Sequence, residues 1–129
     1  MQCVALLQRK SILTYTTYMS YYGVNMKFSD IRGRKIELAL KSWQHIQDWH
    51  PEISLDDIKN TLESPIEIRE SPRLYFVELF YQQKVHPSGK ERYCVVVVKF
   101  FLKRNYISTA MTTNAMKAGK RLYKKESRL

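Results

Sequence analysis

Glu91–Leu102 reads ERYCVVVVKFFL, and how this run is placed decides the architecture. From Tyr93 to Phe101 it shows no alternation of polar and apolar residues. Val95, Val96, Val97 and Val98 are β-branched and stiff at χ1, which suits extended backbone. An apolar strand without alternation is one covered on both faces over much of its length. The run is therefore expected to be a central strand. Its aliphatic stretch is far shorter than the ~20 residues a membrane span needs.

Working outward, three further stretches share its β-branched and aromatic character: Ile66–Glu70, Leu74–Val85 and Tyr106–Thr113. Ser71-Pro72, the turn-forming HPSGK and the short KRN separate them. Connections this short favour antiparallel pairing. Upstream, ALKSWQHIQDW places Leu40, Trp43 and Ile46 at helical spacing, and Pro51 stops that helix near Trp49. SLDDIKNTLESP makes a second helix with Leu55, Ile58 and Leu62 as its apolar stripe and Ser54 and Asp57 as a capping box. Before the helices, Phe28–Ile31 and Lys35–Leu38 read as a hairpin turning at Gly33. After the strands, Asn114–Glu126 reads as a basic helix or tail, weakened by Gly119. The expected class is α+β: N-terminal helices packed on one face of a four-stranded antiparallel sheet, a short leading hairpin and a basic C-terminal helix or tail. Residues 1–25, rich in Tyr, Thr and Ser, read as an N-terminal extension, and residues 26–129 as a single domain.

Charge is unevenly spread. The net charge is +10. Up to Gln83 the ten basic residues are balanced by ten acidic ones; from Lys84 on, twelve basic residues face only Glu91 and Glu126. A one-sided basic surface attracts polyanions through counterion release, which points to nucleic acid; the plain alternative is a solvated basic face. In MQCVALLQRK the basic pair follows the apolar stretch, the reverse of a signal peptide, so the expected location is the cytoplasm, with no membrane partner. Cys3 and Cys94 make neither a disulfide framework nor a zinc pattern. Four isolated glycines exclude the phosphate-cradling loops.

Two of the three histidines and both tryptophans lie in SWQHIQDWHP, Ser42–Pro51. On an ideal helix His45 and His50 stand about 140° apart, which argues against a shared metal. Acid–base chemistry without cofactor is the enzymatic option left, because imidazole titrates near neutral pH. A satisfied, partly buried ring and a simple helix terminator are the ordinary readings of the same two residues.

The order of GRKIELALKSWQHIQDWHPEI, IKNTLESPIEI, YCVVVVK and YISTAMTT resembles the phage-associated nucleases of the BECR fold, named for barnase, EndoU, colicin and RelE. The resemblance covers about Lys27 to Lys125. It departs at Trp49, where members often carry Arg. What it implies is a metal-independent endoribonuclease, with toxin or phage-effector roles and an acidic antitoxin or immunity protein as partner. By the resemblance, His45 and His50 are the acid–base residues, Thr109 hydrogen-bonds the phosphate and Lys99 neutralises the oxyanion. Arg92, Lys103, Arg104, Lys117 and Lys120 then hold the RNA, and Tyr75 and Tyr81 offer rings for bases. A non-catalytic RNA-binding or antitoxin-binding module is the alternative; a structural protein whose charge serves only solubility is a third.

Overall fold

The computed structural model describes residues 25–126; the extension at residues 1–25, Asn25 apart, lies outside them. The chain runs β1 (Met26–Ser29), β2 (Lys35–Leu38), α1 (Leu40–Trp49), α2 (Leu55–Glu63), β3 (Glu67–Glu70), β4 (Val77–Val85), β5 (Glu91–Phe100), β6 (Asn105–Thr113) and β7 (Arg121–Lys124). The strands form one seven-stranded sheet in the order β1-β2-β6-β5-β4-β3-β7. Every neighbouring pair is antiparallel except β2–β6, which is parallel and meets at Glu37 and Tyr106.

The expected four-stranded antiparallel sheet is therefore corrected to a seven-stranded mixed one. The leading hairpin does not stand apart. Ile36 and Leu38 of β2 bury completely in the main core, Arg104 pairs with Glu37 at 3.1 Å, and the Asn105 amide donates to the Lys35 carbonyl. At the other edge, the expected basic helix is a strand. Gly119 adopts φ +154, which no helix accommodates, and the Glu70 N–H then reaches the Lys120 carbonyl at 2.8 Å, adding β7 to β3. A Cβ at Gly119 would overlap the Glu70 carbonyl oxygen. Gly119→Ala is thus expected to detach β7, seen as lost amide-exchange protection in β3 and β7 with β5 unchanged.

The central run has a simple account. Val96 and Val98 bury beneath Trp43, Ile46, Ile58 and Leu62 of the helices, along with Phe80, Ile107 and Ala110. Val95 turns the other way, against Leu79 and Tyr81, with Val97, Met111 and Met116 around them. Both faces of β5 are covered, so its sequence does not alternate. We call these the helix face and the far face. A bulge shifts the β5–β6 register between Val97 and Val98, leaving Ser108 without a partner. It lets Ile107 and Ala110 both bury on the helix face and turns Thr109, opposite Val97, to the far face.

Helix α1 ends as expected: His50 leaves helical geometry at φ −138, ψ 61, ahead of Pro51. Helix α2 opens with the full capping box between Ser54 and Asp57. Asp57 also accepts from Lys84 Nζ at 2.7 Å. Burial pushes its carboxyl up, but bonds from Lys84 and Ser54 outweigh that and hold it below 3.8. A carboxylate with a depressed folded pKa adds stability above its unfolded value, and that stability is lost as pH falls through the folded one. Acid unfolding below about pH 3.8 is therefore expected to be less steep in Asp57→Asn, as read by circular dichroism across a pH series.

Candidate functional site

The non-helical backbone at His50 changes the relation between the two histidines. Their rings come to 6.4 Å between centroids, inclined at 69°. On an uninterrupted helix they would diverge around the axis. His45 is exposed and His50 half-buried, while Trp43 and Ile46 on the other side of α1 anchor it in the core.

Beyond His50 the chain turns into a cleft of about 410 Å³ lined by Glu52, Lys84, Val85, His86, Pro87, Arg92 and Thr112. It lies on the helix face, at the end of the β4–β5 hairpin. The Thr112 hydroxyl donates to Glu52 Oε2 at 3.0 Å. Burial raises the Glu52 carboxyl, but its own backbone N–H, Thr112 and the charge of His50 together bring it below the usual range. Glu52 is therefore an anion at neutral pH, two residues from His50. Lys84 is committed to Asp57 and to the Glu52 carbonyl. Arg92 is different: its Nε is buried without a hydrogen-bond partner. A guanidinium in that state is a ready donor to an anion in the cleft. His86 receives the Ser88 N–H at Nδ1, so its neutral form carries the proton on Nε2.

The other residues chosen from sequence scatter. Lys99 and Thr109 lie on the far face, with the sheet between them and the histidines. Thr109 Oγ1 is buried there without a partner. Lys103 and Arg104 border a separate hollow with Lys27, Lys35 and Glu37 at the opposite end of β5 from Arg92. Lys117 and Lys120 lie in the segment before β7, where the Lys117 N–H holds the Tyr81 hydroxyl at 3.0 Å. Tyr81 is 1% exposed and has no ring face free, whereas Tyr75 is 87% exposed. The structure thus brings His45 and His50 together, sets Arg92 in the adjoining cleft, which neither histidine lines, and leaves the remaining six apart from them.

Sequence reading missed Glu52, Lys84, His86 and Thr112. The stretch KVHPSGKER held the signal, since a tight hairpin must bring Lys84 and His86 back beside Arg92. Cys94 has no part in such chemistry, because burial pushes its thiol up to about 11. Among the described residues no three of His, Cys, Asp and Glu converge to hold a metal ion, and no helix is long and apolar enough to cross a membrane. No protein family, curated protein or solved structure matches this chain.

Proposed function

We propose that the protein is a metal-independent endoribonuclease working at the cleft beside His45 and His50. The observation that carries this reading is the pair of imidazole rings, 6.4 Å apart, next to a cleft holding an unpartnered Arg92 Nε. The excess of positive charge supplies attraction for the RNA backbone.

In this reading one neutral imidazole removes the proton of a ribose 2′-OH. That oxygen attacks the adjacent phosphorus as the P–O5′ bond breaks, and the second, protonated imidazole gives its proton to the leaving 5′-oxygen. The products are a 2′,3′-cyclic phosphate and a 5′-hydroxyl. In this assignment His50, the ring nearer Glu52, is the acid and His45 the base. Arg92, from the adjoining cleft, is the cation assigned in this reading to the charge gathering on the phosphoryl oxygens. Lys99 and Thr109, on the far face, take no step at this cleft. Activity of this kind belongs in the cytoplasm, and an acidic antitoxin or immunity protein would answer the same surplus of charge.

The separation of Lys99 and Thr109 from the histidines favours a second reading, an RNA-binding module without chemistry. Incubation of labelled RNA with the protein in EDTA tests both. Fragments ending in 2′,3′-cyclic phosphate, with DNA left intact, are the expected result. Salt-sensitive binding with no cleavage establishes the module instead. Absence of binding at low salt overturns both.

A further inference from the structure

At the end of the sheet away from the cleft, the β1–β2 hairpin and the β5–β6 turn enclose a hollow of about 540 Å³. Lys27, Lys35, Lys103 and Arg104 border it. Its single acid, Glu37, is already bound by Arg104 at 3.1 Å. Strand alternation places Lys27, Lys35 and Glu37 opposite in sense to the buried Phe28, Ile36 and Leu38, so they point out of the far face.

Rings crowd next to these cations. Phe101 stacks on Tyr106 at 5.4 Å and 20°, and is 58% exposed on its other side. Tyr75 and Phe76 stand 87% and 73% exposed across a second hollow that Lys99 and Phe101 also line. Phe76 has φ +62, a conformation that bulky residues rarely adopt. Its carbonyl accepts from the Phe100 N–H at 2.7 Å, so the strained backbone is tied to β5 while the ring is held in solvent. Arg34, over the Phe100 ring at 4.0 Å, joins the two hollows. The two turns, Ser71–Phe76 and Phe101–Asn105, carry Arg73, Lys103 and Arg104 and no acid.

We propose that this end of the sheet is a second nucleic-acid site, one that takes an unpaired strand. The complement of clustered cations beside exposed, preset ring faces is a polyanion whose repeating units are flat and apolar. A single strand offers both: phosphates for Lys27, Lys35 and Lys103, and bases for Tyr75, Phe76 and Phe101. A duplex offers the phosphates but keeps its bases stacked inward. An anionic bilayer is the rival partner, but Lys27 and Lys35 lie in the hollow on the sheet, away from the apolar turns where interfacial anchors sit. Along β5 the site is about 25 Å from Arg92, at ~3.3 Å per residue, and it faces the other way. It is therefore independent of whether the histidine cleft cleaves RNA.

Anisotropy of labelled dT12, which lacks the reactive 2′-OH, tests this on the full chain alongside rU12 and a duplex of equal length. Tyr75→Ala/Phe101→Ala is expected to weaken dT12 and rU12 about tenfold or more, with the duplex nearly unchanged. Lys27→Gln/Lys35→Gln/Lys103→Gln is expected to lower the salt slope for dT12 by roughly 2. Thermal midpoints equal to wild type show that both variants fold, and the charge variant touches no buried residue, so it reads the site even where the ring variant does not. Wild-type affinity for dT12 in both variants overturns the proposal. So does a ring-dependent loss of binding to phosphatidylserine vesicles with dT12 affinity unaltered. Cleavage abolished in Arg92→Gln with the ring effect intact separates the two sites.

Discussion

His50→Ala and His45→Ala are each expected to lower the rate of the proposed RNA cleavage by about 10²–10⁴-fold, the range that general acid–base groups supply. This is the outcome expected if the two rings divide the work of one proton taken and one given. The two variants should also differ in kind. The wild-type rate should follow a bell in pH, since one ring must be neutral and the other protonated. Loss of His50 should remove the alkaline limb, because no acid is left to be titrated away, and loss of His45 the acidic limb. A substrate with a good leaving group at the 5′ side should restore much of the rate to His50→Ala and little to His45→Ala. If both histidine variants cleave as wild type does, the chemistry is elsewhere and the assignment fails.

Trp43→Ala is the second large effect, a loss of about 3–5 kcal/mol in folding stability. Trp43 is 1% exposed and is among the largest fully buried side chains, part of the core between α1 and the sheet. Its removal leaves a cavity that the sheet cannot close. Trp43→Phe should cost far less than volume alone implies. The indole Nε1 is buried without an acceptor, so the ring already carries the penalty of an unsatisfied donor, and Phe removes that penalty with the N–H. Urea denaturation of the two variants checks the contrast. Equal losses would show that shape, not the orphan donor, governs the site. Since α1 carries His45 and His50 caps its end, Trp43→Ala should also loosen their pairing and reduce any cleavage at temperatures where the protein is still folded.

Much of the chain was legible from local chemistry. Both helices, the capping box at Ser54 and the stop before Pro51 follow from short-range rules, and the four strands β3 to β6 were placed within a few residues of their observed bounds. The edges were not legible. Nothing within KIEL states that it will lie parallel to a strand formed much later in the chain, and RLYK is too short and too basic to announce a strand without Glu70 beside it. The candidate site was legible in part for the same reason. His45 and His50 sit in one motif, but their approach depends on one non-helical residue, and their neighbours Glu52, Thr112 and Arg92 come from separate elements that only the fold unites. Lys99 and Thr109 went to the wrong side for this site. Strand alternation sets Lys99, and the bulge at Ser108, invisible in sequence, sets Thr109.

The parallel junction of β2 with β6 also governs when the molecule can come into being. Lys35 and Asn105, bonded across it, are 70 residues apart in the chain. During synthesis the hairpin and both helices emerge first, yet Ile36 and Leu38 have no sheet to dock on until β6 has left the ribosome. Pairings of such long range are slow, because the loop must close before any contact repays it. The hairpin therefore waits as an apolar ribbon, and the last third of the chain must arrive to shelter it.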